Sequence, residues 1–316
     1  MLVLVLIITI IYIYFLQFYN IEENFEEDID RYYFSSYEAG NIFSNQSDII
    51  SYIHHQRKIE RTVKGYSKFT ADNIKLYQSN FLNFKSEEKN HIDSLLKIIC
   101  SNFKNNYKKF NYDKWLLIKS NDKIEGGMPF TISDYIILPE KVIEKSMFMN
   151  NLKSSMEYLG NILIHEKMHI YQRNYPHIMN NFYKKYWHFT YIPNIIIPNY
   201  INDKIRSNPD GIEVNWVYKN KYLILSLLNN RNDLSSIDIK FYPINYVNGN
   251  YHLGKPTDSL YEYNKFFCNI RYPYHPNESA AYLFSDIILA QIFNEKLDVT
   301  CPAIKAFHQW LNKYMR

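Results

Sequence analysis

The chain has few cysteines: three in 316 residues, Cys100, Cys268 and Cys301. They are widely spaced and form no CxxC pair, which excludes a disulfide framework and a thiolate metal cluster. One disulfide with one free thiol fits the count, so the redox compartment stays open. A concentrated basic patch beside an aromatic platform is also missing. The net charge is only +4, and Lys104 to Lys109 reads as a solvated helix end, so no nucleic-acid partner is expected. Internal repeats are absent, which excludes a solenoid. The composition of a disordered chain is absent too, because 47% hydrophobic and 17% aromatic residues demand a packed body. The thirty tyrosines read either as the mark of an AT-rich genome or as a tyrosine-rich ligand surface.

The N-terminus lacks charge altogether from Leu2 to Tyr19. Eighteen residues in a helix span about 27 Å, the thickness of a bilayer's hydrocarbon core. A basic start and small residues near a cleavage site are both wanting, so the run predicts an uncleaved transmembrane anchor over residues 1–20 rather than a signal peptide. Six acidic residues follow between Glu22 and Asp30, and no lysine or arginine precedes Arg31, a pattern that leans toward placing the body outside the cytosol. Residues 21–65 read as a polar stalk or early helices, with His54 and His55 on the surface. The folded domain is expected over 66–316. Two glycosylation sequons occur, at Asn45 and at Asn277.

Against these absences stands one motif, His165-Glu166-Lys167-Met168-His169. Histidines four apart on a helix share a face and can converge on one metal ion, which places the intervening glutamate beside that ion. There it can take a proton from a water that the metal has acidified. Ser154 to Arg173 contains no proline, Met156, Leu159, Leu163 and Met168 recur near helical period, and Pro176 follows, so a largely buried helix is predicted. A core helix with two satisfied histidines is the plain alternative. A catalytic zinc site needs a third protein ligand and one open position. Gln172 and Tyr175 stand where HExxHxxGxxH requires glycine and histidine, and His177 is off pattern. Glu278 is the better third ligand. It lies in the first turn of a helix expected to start at the N-cap Asn277 and to run to Phe293, a position that a helix dipole would also favour for an acid.

HExxH followed by Asn277-Glu278-Ser279-Ala280-Ala281 resembles the gluzincin type of zinc metallopeptidase. The resemblance implies an α+β, zincin-like fold with a mixed sheet packed on the HExxH helix. It also implies zinc (Zn2+) held by His165, His169 and Glu278, Glu166 as general base, and a peptide or protein substrate. Two positions depart from the pattern. The long gap from His169 to Glu278 implies an insertion of about 176–260, and Tyr282 stands where thermolysin-like members carry an aspartate that supports a ligand histidine, with Asp286 two turns on. The partner of the ligating imidazoles is thus unassigned. A looser similarity, to metallopeptidases of large DNA viruses, covers Lys114 to Asp286. It rests on Glu166 to Pro176, Gly126-Gly127-Met128-Pro129 and Asn208-Pro209-Asp210.

Around the motif, a helix is predicted over Glu87 to Asn106, with strands at Trp115 to Ile118, Tyr135 to Leu138, Tyr222 to Leu228 and Ile237 to Tyr242. If the resemblance holds, the strand near Tyr135 is either the edge to which an extended substrate pairs or, equally compatible, a plain internal strand. His188, Tyr261, Tyr263 and His275 are the available oxyanion-stabilising side chains. The sequence thus reads as a membrane-anchored zinc metalloendopeptidase. Two other classes remain: a noncatalytic membrane-tethered scaffold or virion protein that keeps the fold, and a cell-surface module that binds through a tyrosine-rich face.

Overall fold

The computed structural model describes residues 29–45, 75, 77–108, 114–206, 210, 214–229, 236–268, 270 and 274–316. The run Leu2 to Tyr19 and the residues His54 and His55 lie outside the described residues. No helix among the described residues is long and apolar enough to cross a membrane. The protein is α+β, with helices packed against mixed sheets.

Residues Arg31–Arg316 form one compact unit, which takes in a strand and a helix from the stretch read as a polar stalk or early helices. Strand β1 (Arg31–Tyr33) pairs in parallel with β3 (Trp115–Ser120), and helix α1 (Ser36–Asn45) buries Ala39 and Phe43 beneath it. Further along β3, β2 (Phe81–Leu82) pairs antiparallel with Lys119 and Ser120. The sheet continues through β5 (Tyr135–Pro139), parallel to β3, to β4 (Phe130–Ile132), antiparallel to β5, in the order β1-β3-β5-β4. Strand β5 is therefore internal, and β4 is the edge. The sequence left the strand near Tyr135 as either an edge or a plain internal strand; the internal one is observed, and the edge is β4, whose three residues it did not resolve as a separate strand. Leading into β4, Gly126 and Gly127 both hold left-handed φ, of 68° and 70°. At Gly127 a Cβ would also meet the Cβ of Asp122 at 2.9 Å, so that turn needs glycine.

Helix α2 (Ser86–Asn106) starts where Glu88 reaches back to accept the Lys85 amide at 2.8 Å, and it buries Ile92, Leu95, Leu96, Ile99 and Phe103. Phe103 stacks on Trp115 of β3 and on Phe284, which ties α2 to the sheet and to the helix that carries Glu278. Helix α3 (Glu140–Met147) follows β5, and a short α4 (Leu152–Ser155) leads through a π-helical turn, Met156–Gly160, into α5 (Asn161–Asn174). Every residue of α5 from Leu163 to Gln172 is buried, including the polar ones. A helix enclosed on all sides is a core element, and polar groups there need partners.

The long segment after α5 is not loop-like. Helix α6 (Pro176–Tyr186) leads to a six-stranded sheet in the order β6-β8-β9-β10-β11-β7. Its strands are β6 (Phe189–Tyr191), β7 (Ile195–Ile196), β8 (Trp216–Tyr218), β9 (Tyr222–Leu228), β10 (Ile237–Val247) and β11 (Asn250–Leu253), and α7 (Asn199–Asn202) follows β7. Strand β10 pairs with β9 up to Pro243 and with β11 from Ile244 onward, so the proline marks the change of partner. Helices α8 (Tyr261–Phe267), α9 (Pro276–Ile292) and α10 (Pro302–Tyr314) complete the body. All four tryptophans are buried, and Tyr183, Trp187, Tyr218, Tyr263, Phe267, Phe307 and Trp310 form a continuous set of ring contacts between α6, α8, α10 and the second sheet.

Candidate metal centre

Helices α5 and α9 lie against each other, and the site forms where they meet. His165 and His169, one turn apart, bring their Nε2 atoms to 3.0 Å. From α9, Glu278 places its carboxylate oxygens 3.3 Å from His169 Nε2 and 3.7 Å from His165 Nε2. Donors at about 2.0–2.1 Å from a tetrahedral zinc are about 3.3–3.4 Å apart, so the three spacings suit one shared ion. The sequence expected Asn277 as the N-cap of α9. The cap is instead His275, whose Nδ1 accepts the Asn277 amide at 3.2 Å, and Glu278 sits in the first turn behind Pro276. Ser279 is buried and donates to His275 O, so the sequon at Asn277 is closed once the chain has folded.

The supporting partner of His169 is Gln172, the residue noticed in the sequence only as a departure from the glycine pattern. Gln172 Oε1 accepts His169 Nδ1–H at 2.8 Å, and its Nε2 donates to Asn277 O at 2.9 Å. With the ring proton held on Nδ1, the Nε2 lone pair faces Glu278 and His165. One side chain thereby fixes a ligand imidazole to the backbone of the helix that supplies the third ligand. Tyr282, at the expected aspartate position, lies on the His165 ring with centroids 4.3 Å apart, so it acts by packing. Tyr183 of α6 places its buried hydroxyl beside Gln172 and Glu278, and burial pushes that phenol well above its usual value.

Glu166 is 4% exposed, and its Oε2 has no hydrogen-bond partner among the described residues. Burial, then Asp210, then Glu278 push it well above the ordinary carboxylate range. Asp210 was noted in the sequence only as part of a turn. Here its carboxylate lies with Glu166 and His169 within ligand spacing, while its Oδ1 accepts the Thr131 amide of β4 at 2.7 Å and the Thr131 hydroxyl. Burial likewise raises Glu278 to about 8, with Asp210 adding to the shift. Burial lowers His169 to about 3, which keeps that imidazole neutral.

Three buried carboxylates thus share one volume. The Arg173 guanidinium faces Glu166 and Asp210 and donates through Nε and Nη2 to Ser133 O in the turn between β4 and β5. Half-exposed Arg206 offsets part of the Glu278 charge from the border. Among the described residues, one enclosed cation against three carboxylates leaves an excess of negative charge that a divalent cation bound by neutral imidazoles would neutralise. The donor set of two imidazoles and one carboxylate is one that zinc accepts.

The proposed oxyanion residues are scattered. His188 and Tyr261 are exposed, and Tyr263 is buried in the aromatic core. Only His275, through its effect on His169, is near the centre. No family model matches the chain, and neither a curated protein nor a solved structure is similar to it.

Proposed function

We propose that the chain is a zinc-dependent metallopeptidase of the gluzincin kind, anchored to a membrane through residues 2–19. The observation that carries this reading is the convergence of His165, His169 and Glu278 at ligand spacing, beside Glu166, whose Oε2 has no hydrogen-bond partner among the described residues. The zincin-like architecture is supported by a mixed sheet whose antiparallel edge strand β4 runs beside the HExxH helix.

Bound zinc would supply Lewis acidity, lowering the pKa of a water and polarising the scissile carbonyl. Glu166 takes the proton of the attacking water and passes it to the departing amine. Gln172 keeps His169 oriented throughout.

A second reading draws on the burial of the site. None of His165, Glu166, His169, Asp210 and Glu278 is more than 8% exposed, and Asp210 forms a second group at ligand spacing with Glu166 and His169. A centre closed to substrate would be a structural clip in a noncatalytic scaffold. Zinc content and hydrolysis of a random peptide library, measured on the chain and on its Glu166→Gln form, separate the two. One zinc per chain with cleavage lost in the variant supports the peptidase. Zinc bound without cleavage in either form supports the scaffold, and absence of zinc refutes both.

A further inference from the structure

Helix α8 ends at Cys268, and α10 begins at Cys301. The Cys301 thiol donates to Phe266 O at 3.4 Å, and the Cys268 sulfur lies 4.0 Å from the same oxygen. Both sulfurs are therefore confined around one backbone carbonyl. Cys268 is held at a left-handed φ of 54°, which a residue with a Cβ adopts only under local constraint. Cys268 is exposed, so an external disulfide can reach it, whereas Cys301 is buried and meets only its neighbour.

We propose that Cys268 and Cys301 form a structural disulfide in an oxidising compartment, with Cys100 as the remaining thiol. The chemistry is thiol–disulfide exchange with a small-molecule disulfide such as oxidised glutathione. The Cys268 thiolate attacks one glutathione sulfur and expels the other as thiolate. The Cys301 thiolate then attacks Cys268 in the mixed disulfide and expels the second glutathione. Two cysteine thiols lose two electrons and two protons, and one glutathione disulfide becomes two glutathiones.

The surroundings favour a structural bond over a redox-active one. Burial, and then the Cys301 thiol, push Cys268 up to about 11, so it carries little thiolate at neutral pH and lacks the activated character of a redox catalyst. Cys100 sits on α2 and is not one of the two thiols gathered at the Phe266 carbonyl, which leaves it a poor competitor. The loop closed by the bond runs from Cys268 to Cys301 and contains the whole of α9 with Glu278. Crosslinking it reduces the entropy of the unfolded chain around the third metal ligand.

The test is to equilibrate the full chain with a glutathione mixture of oxidising poise, quench with an alkylating agent under denaturing conditions, and map the cysteines by mass spectrometry. The expected product is lighter than the reduced protein by two hydrogen atoms before alkylation, has Cys268 linked to Cys301, and carries alkyl label on Cys100 alone. Its Tm should exceed that of the reduced chain by about 5–10 °C, a difference lost in Cys268→Ser and in Cys301→Ser. Three labelled thiols at that poise, or a bridge to Cys100, would overturn the proposal. The readout involves no metal, so it stands apart from the fate of the peptidase reading.

Discussion

Replacing Gln172 with methionine keeps the length and bulk of the side chain and deletes both of its hydrogen bonds, to His169 Nδ1 and to Asn277 O. The first loss frees the His169 ring to rotate and to change tautomer. Partners of ligating imidazoles are typically worth 10–100-fold in metal affinity, or about 1.4–2.7 kcal/mol. The second loss leaves the carbonyl of Asn277 without its side-chain donor, at a cost of about 1–3 kcal/mol in the stability of the metal-free protein. Gln172→Glu separates the two. A carboxylate still accepts from His169 Nδ1–H, so zinc affinity should stay near that of the parent, but it cannot donate to Asn277 O and adds charge beside Glu166 and Glu278. Zinc affinity would be measured by competition with a chromophoric chelator, and stability by denaturant titration without metal. A folded Gln172→Met protein that binds zinc as tightly as the parent would refute the assignment of Gln172 as the residue that orients His169.

Zinc binding should become tighter as pH rises toward about 8, because Glu278 is protonated below that value in the metal-free protein and must release its proton to the ion. Calorimetry in buffers of different ionisation enthalpy should show that release at neutral pH. The same shift sets a stability trend: the folded metal-free chain keeps a proton on Glu278 that the unfolded chain loses near 4.5, so this group's contribution falls as pH climbs from 4.5 to about 8. A denaturation series over that window checks the sign. Asp210→Asn keeps an acceptor for Thr131 and removes one negative charge beside Glu166 and Glu278, so the proton release on zinc binding should move to lower pH; an unmoved profile would place Asp210 outside the centre. Lys119 is buried between Glu88 at 2.9 Å and Glu140 at 2.7 Å, and Lys119→Met should cost about 3–5 kcal/mol in denaturant unfolding by leaving Glu88 buried without its cation.

Much of the helical framework was legible because it is written at short range. The 3.6-residue recurrence of Met156, Leu159, Leu163 and Met168 anticipated the α4 to α5 stretch, although not the π-helical turn, Met156–Gly160, that interrupts it. The apolar run Tyr222 to Leu228 is β9 as observed. Where the reading failed, the missing information was pairing. Arg31–Tyr33 looks polar in isolation and becomes a strand because β3 offers it an open side. Tyr135–Pro139 could be edge or internal from its sequence alone, and Phe130–Ile132 folding back on it makes it internal. Gln172 lies three residues past His169 on the same helical face, so its proximity was available to sequence reasoning and its role was not, since its second hydrogen bond goes to Asn277.

The sequence by itself determined that two imidazoles and a carboxylate project from adjacent turns of one helix, because the i to i+4 geometry of an α-helix is a property of the local backbone. It also put Glu278 in the first turn of a second helix. Only the tertiary structure decided that these helices meet, that the pair of histidines faces Glu278 rather than another acid, and that Asp210, Arg173 and Thr131 enclose the same space. Those relations join residues tens of positions apart, and their geometry depends on how the whole core packs and on which buried charges it must neutralise.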